Sequence, residues 1–178
     1  MEAQISTDVA VVIERRKSSH PWAEFSWKGI GVVEAAETLC DWQVVREDEA
    51  STQFLFGPVS ITLHRKLGEA YDANMETGTP SLWLMLDDAD TDPVPYKVRG
   101  VTADPYEAQG MQDAGDGLIE RVPMPADILQ WTVAFLKKMP EPEAFKKRRR
   151  KSAKTEEQQF GKVPIFQEGG RMVPGEGE

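Results

Sequence analysis

The sequence predicts an α+β fold: a mostly antiparallel, curved sheet of about seven strands, with two or three packed helices and a flexible C-terminal tail. Two observations carry this prediction. Short runs that alternate apolar and polar residues recur between residues 8 and 122, and this period is typical of strands with one buried face. One longer run, Pro125–Met139, instead has its apolar residues at helical spacing.

The first strands are predicted from alternation and from the residues that interrupt it. Asp8–Glu14 has the pattern of a strand, and Trp27–Val33 resumes the pattern after a connection. Gly29 and Gly31 weaken the interior of that second strand and predict a bulge or a close backbone approach. Trp42–Arg46 is predicted as a short third strand.

Two hairpins are predicted in the middle of the chain. Gln53–Phe56 and Val59–His64 flank Gly57-Pro58, a typical turn sequence. Ser81–Leu86 and Tyr96–Val101 flank an acidic, proline-bearing turn and predict the second hairpin. A last short strand is predicted at residues 118–122.

Three helices are predicted. Leu67–Met75 forms a short one, which ends near a glycine. Asp104 and Pro105 predict the start of a second, because aspartate accepts from the free N–H groups of a first helical turn and proline lacks an N–H there. Pro125–Met139 is the third, and its broad apolar face is expected to pack on the sheet.

The chain divides by composition into a domain, residues 1–140, and a tail, residues 141–178. Beyond residue 140 the periodicity disappears, and the tail contains six consecutive basic residues, Lys146–Lys151, followed by a Gly/Pro/Glu-rich end. Such a composition predicts disorder in the unbound state. Val163–Phe166 is an apolar island of the kind found in docking segments.

Net charge separates the two parts. The tail holds nine basic and seven acidic residues, whereas residues 1–140 hold twelve basic and twenty-three acidic ones, a net of −11. An acidic domain disfavours binding to phosphate backbones, so a nucleic-acid partner is not expected.

The single cysteine, Cys40, excludes an internal disulfide. No apolar run approaches the roughly 20 residues of a membrane helix and no secretory signal is evident, so a cytoplasmic location is expected.

The residue types that carry common chemistries are scarce. Two histidines and one cysteine are too few for a structural zinc site, and neither phosphate-binding glycine motif is present. No metal or cofactor is therefore expected. His20, between Ser19 and Pro21 and near Glu24, is the best candidate for a catalytic base, which leaves an enzyme as an alternative.

Recognition groups are concentrated in Ile13–Lys28, between the first two predicted strands. Arginine and tryptophan in a connection are suited to binding, because guanidinium groups pair with carboxylate or phosphate and stack on indole rings. In the opposite interpretation, one arginine pairs with an acid of the domain itself and the indoles close the end of the core. The candidate residues are Arg15, Arg16, His20, Trp22 and Trp27.

Several short motifs resemble a proteobacterial family, domain of unknown function 3305, in their order and spacing. The resemblance extends over roughly Val9–Arg150. The motifs that carry it are Glu14-Arg15-Arg16, His20-Pro21-Trp22-Ala23, Trp27, Pro105-Tyr106-Glu107-Ala108-Gln109, Pro123-Met124-Pro125 and Phe145–Arg150.

The resemblance implies a role, because such proteins are typically encoded beside genes for molybdenum-dependent formate dehydrogenase and its maturation factors. The function expected from it is a non-catalytic accessory protein, for assembly, maturation or as an auxiliary subunit, that acts by protein–protein contact. A small-anion or pterin-cofactor binder and an enzyme using His20 are the alternatives. Beyond the candidates of Ile13–Lys28, the expected contact residues are Pro105, Tyr106, Glu107 and Gln109 as a second patch, and Lys146, Lys147, Arg148, Arg149 and Arg150 as a tether.

Overall fold

The computed structural model describes residues 3–35, 38–115 and 117–139. Within these ranges, seven strands, three α-helices and one 3₁₀ turn confirm the α+β class and the antiparallel pairing. The strands form two hydrogen-bonded sheets rather than the single sheet expected. The predicted tail lies outside the described residues.

The first sheet has four strands in the order β2-β1-β4-β3. Its central strands, β1 and β4, pair over most of their length and are longer than their alternating cores predict, because the pairing continues through polar residues at both ends. The strands are β1 (Gln4–Lys17), β2 (Phe25–Glu34), β3 (Gln43–Glu47) and β4 (Ser51–His64).

The hairpin predicted around Gly57-Pro58 is wrong. Residues on both sides of this dipeptide belong to β4 and pair with β1, and the register shifts between Val9 and Val11 where the dipeptide lies opposite. A bulge tolerates a proline, which cannot donate to the sheet. Gly57 also fits the close packing, since a Cβ atom there would lie 2.9 Å from the Cα of Ala10.

The second sheet has three strands in the order β6-β5-β7. They are β5 (Ser81–Asp88), β6 (Tyr96–Thr102) and β7 (Leu118–Pro123), so the second predicted hairpin and the last strand are confirmed. The two sheets approach each other in two places: the edge strands β2 and β7 lie side by side, and β6 lies beside β4, an inner strand of the first sheet.

The helices begin and end close to the predicted positions. A 3₁₀ turn, Arg65–Leu67, leads into α1 (Gly68–Glu76). The second helix is α2 (Pro105–Ala114), with Asp104 as its N-cap, as predicted. The third is α3 (Ala126–Lys137), in which Pro125 is the N-cap rather than the first helical residue.

One apolar core joins both sheets and the helices. Val11 and Ile61 of the first sheet, Leu84 of the second, Tyr71 of α1 and Phe135 of α3 are all buried in it. One face of β1 and one face of β5 thus point into this core. The opposite face of β1 carries Glu14 and Arg16 near the end of the strand.

Candidate functional site

The connection between β1 and β2, residues 18–24, is a tight turn with an exposed indole. The N–H of Ser18 donates to the carbonyl of Glu24 at 2.9 Å, and the N–H of His20 donates to Ser18 Oγ at 3.0 Å. Trp22 is 89% exposed. These bonds hold the backbone while the largest apolar side chain of the connection projects into solvent.

Arg15 lies at the base of this connection and packs on aromatic rings. Its guanidinium carbon is 4.6 Å from the centroid of Phe25, 5.3 Å from that of Phe54 and 6.0 Å from that of Trp27. Its Nη2 donates to Thr52 Oγ1 at 3.3 Å. A half-buried guanidinium over ring faces stabilises the strand ends by cation–π attraction.

Arg15 and its neighbours Phe25, Thr52 and Phe54 form an arginine cluster, and Trp27 connects this cluster to the second sheet. Its ring centroid is 5.8 Å from that of Phe54 in β4 and 6.0 Å from that of Tyr96 in β6, which it meets edge to face. Trp27 therefore closes the end of the core, as the opposite interpretation of the sequence holds. The same interpretation is wrong for Trp22, which is exposed.

Arg16 points to the other face of β1 and is engaged by the domain itself. Its Nε lies 2.5 Å from Glu14 Oε1, and Gln53 Nε2 donates to Glu14 Oε2 at 3.3 Å. The Glu14 side chain is only 9% exposed. Because Arg15 and Arg16 face opposite sides of the sheet, they do not converge on one anion.

The hydrogen bond from Arg16 lowers the pKa of the Glu14 carboxyl below its ordinary value, against the opposing effect of burial. A lowered pKa in the folded state contributes stability above the unfolded carboxyl pKa, and this contribution is lost as pH falls through the lowered value. We expect Arg16→Gln to reduce the free energy of unfolding only slightly at neutral pH, because Arg16 is largely exposed and solvent screens its pairing with Glu14. Urea unfolding should show that this difference disappears in acid; an equal loss at both pH values would contradict the pairing.

His20 lies in the turn and is exposed. Within the described residues, its ring has no titratable side chain at hydrogen-bond or ion-pair distance. The arrangement that an acid–base role for His20 requires, a positioned second titratable group, is therefore not provided by this part of the chain.

The second predicted patch is at the start of α2. Asp104 Oδ1 accepts from the N–H of Tyr106 at 2.8 Å and from that of Glu107 at 3.4 Å. Pro105 is half-buried, Tyr106 is 61% exposed, and Glu107 and Gln109 are exposed. The cap thus fixes a short helix that presents a tyrosine to solvent.

The structure does not bring the two patches together. Trp27 contacts Tyr96 at the first residue of β6, whereas α2 follows the other end of the same strand. Seven residues of strand separate them by roughly 20 Å. The tether residues, Lys146–Arg150, lie outside the described residues.

Four residues of this region were not singled out in the sequence. Phe25, Thr52 and Phe54 come from β2 and β4, and strand pairing places them beside Arg15. Tyr96 comes from β6 of the other sheet and contacts Trp27. Glu14 was also missed as the partner of Arg16. The signal for that pair was available, because residues two apart in a strand share a face.

Two further observations concern only the described part of the chain. No group of three His, Cys, Asp or Glu side chains is placed to hold a metal ion there. Among the helices of the same ranges, none is both long and apolar enough to cross a membrane.

Comparison with known protein families assigns the chain to a family. The model of the family described as Protein of unknown function (DUF3305) matches residues 8–149. The chain therefore belongs to this family, which confirms the family assignment made from its short motifs. No curated protein and no solved structure matches the chain.

Proposed function

We propose that this protein is a non-catalytic accessory protein of a molybdenum-dependent formate dehydrogenase system, acting in the cytoplasm by protein–protein contact. The observation that carries the contact is Trp22, an indole that is 89% exposed at the end of two long strands. The contact surface is the connection that holds it, residues 18–24, together with its base at Arg15 and Trp27.

Physical reasons favour a protein partner for this connection. Tryptophan and arginine are enriched among residues that dominate binding energies, because a large rigid side chain excludes much water at low entropic cost. The backbone bonds between Ser18 and Glu24 and the packing of Trp27 against Phe54 hold the connection before it binds. A preordered loop loses less entropy on association than a flexible one.

The choice of the formate dehydrogenase system rests on the family. Membership in DUF3305 is established by the match over residues 8–149, and the sequence resemblance implies that such proteins are encoded beside the dehydrogenase genes. An auxiliary subunit, an assembly factor and a maturation factor all require a contact surface of this kind. The partner is accordingly a dehydrogenase subunit or one of its maturation factors.

The basic cluster Lys146–Arg150 acts in this proposal as an electrostatic tether. Exposed ion pairs are screened over about 10 Å at 0.1 M salt, so the tether should make association sensitive to salt. We expect full-length protein to co-purify a dehydrogenase component from native lysate at low salt and to recover less of it at high salt. A variant with glutamine at these five basic positions should lose the salt dependence.

The controls separate the tether from the connection. The variant with glutamines should still recover part of the dehydrogenase component, because the Trp22 connection is intact in it. Recovery of no dehydrogenase component at any salt concentration, with the protein itself recovered in full, would contradict the proposal.

A further inference from the structure

A cleft of about 480 Å³ opens where β2 lies beside β7. The two strands belong to different sheets, so no ladder of hydrogen bonds closes the gap between them. Trp27 and Ile30 provide apolar surface in the cleft, and Lys28 and Glu120 provide its unpaired charges. Glu14 and Arg16 also line it, but they are bonded to each other.

Glu120 is a half-buried carboxylate without a partner in the described part of the chain, where it makes no hydrogen bond and no salt bridge. The same residues contain no fully buried side-chain oxygen or nitrogen that lacks a partner. The carboxyl oxygens of Glu120 are therefore accessible, and Glu120 is one of the residues that line the cleft. Burial raises the pKa of this carboxyl, and attraction by Lys28 opposes the increase.

Lys28 is the complementary unpaired charge. It lies opposite Glu14 in the β1–β2 register, yet Glu14 is bonded to Arg16 and Gln53 instead. Lys28 is exposed and forms no salt bridge with a described residue. Lys28 and Glu120 thus face one cleft with opposite charges that are attracted but not in contact.

We propose that this cleft binds a small zwitterion of the amino-acid type. Its ammonium group pairs with Glu120, its carboxylate pairs with Lys28, and an apolar side chain packs on Trp27 and Ile30. The volume is ample for a molecule of this size. The charge pair orients the ligand, while the apolar wall contributes surface that is removed from water.

A simple cation and a simple anion each suit the cleft less well than a zwitterion does. A cation at Glu120 would be repelled by Lys28, and an anion at Lys28 would be repelled by Glu120. Arg16 does not change this balance, because Glu14 neutralises it at 2.5 Å. A ligand that carries both charges satisfies both side chains at once.

The test uses isotope-labelled full-length protein and three ligands of nearly equal shape. L-leucine carries both charges, isopentylamine lacks the carboxylate, and isocaproate lacks the ammonium group. We expect L-leucine to shift the indole N–H signal of Trp27 and the amide signal of Gly29 in a saturable way. Each of the other two ligands should bind about tenfold more weakly, the cost of one charged hydrogen bond.

Variants assign the binding to the cleft. Glu120→Gln and Lys28→Gln should each weaken L-leucine binding by about tenfold. Glu69→Gln, at an exposed position of α1 outside the cleft, should leave it unchanged. The proposal is overturned if L-leucine gives no saturable shift, or if its binding is the same in wild type, Glu120→Gln and Lys28→Gln. This outcome does not depend on the protein contact proposed for Trp22.

Discussion

We expect Trp22→Ala to weaken binding to the proposed dehydrogenase partner by about thirtyfold or more, the effect of removing one dominant residue of an interface at about 2 kcal/mol. The same change leaves the free energy of unfolding within about 0.5 kcal/mol of wild type, because Trp22 is exposed and contributes little to the core. Titration calorimetry with the purified partner component measures the first effect, and urea unfolding measures the second.

Trp131→Ala is the matched control for Trp22→Ala. Trp131, on α3, is half-buried and packs against the core, so its removal should reduce the free energy of unfolding by about 2 kcal/mol or more. The fraction that remains folded should bind the partner as wild type does. Equal partner affinity for Trp22→Ala and wild type would contradict the contact surface.

Gly29→Ala should reduce the free energy of unfolding by about 1–3 kcal/mol, the usual cost of overpacking. A Cβ atom at Gly29 would lie 2.7 Å from Leu84 Cδ1 and 2.8 Å from Glu120 Cβ, which is closer than real Cβ contacts. Either β2 moves away from β7 or both neighbouring side chains are displaced. Thermal or urea unfolding measures the difference from wild type.

Gly31→Ala provides the control, since a Cβ atom there has no neighbour within 4 Å. We expect this variant to be as stable as wild type or more stable by up to about 1 kcal/mol, because alanine loses less backbone entropy on folding. If Gly29→Ala and Gly31→Ala behaved alike, the close approach of β2 to β7 would be contradicted.

Local patterns were sufficient where the structure depends on neighbours in sequence. The N-cap at Asp104 is an interaction between adjacent residues, and the helix at α3 is determined by its own apolar spacing. The hairpin of β5 and β6 is likewise local, because its strands are joined by a short turn. Each of these elements is present where it was predicted.

Strand pairing between residues that are far apart in the sequence could not be predicted from one sequence alone. Gly57-Pro58 has the composition of a turn, but β1, some fifty residues earlier, pairs with both sides of it and keeps β4 continuous. The division into two sheets has the same origin, since β2 and β7 approach each other without hydrogen bonding. Such contacts depend on the whole fold rather than on local propensity.

The candidate site contains one feature that local patterns predict and one that they do not. Val9, Val11 and Ile13 define the core face of β1, and continuing that alternation places Arg15 on the core face and Arg16 on the other. Their different environments were therefore predictable. The different exposures of Trp22 and Trp27 were not, because they depend on where the turn begins and on contacts from β4 and β6.

The most direct test of the contact surface is site-specific photo-crosslinking in living cells that contain the formate dehydrogenase system. A photoreactive phenylalanine analogue at position 22 should yield a covalent adduct with a dehydrogenase subunit or maturation factor. The same analogue at Val45, which is 52% exposed on β3, should not. Adducts of equal yield at both positions, or none at position 22 with the protein fully expressed, would contradict the proposed contact.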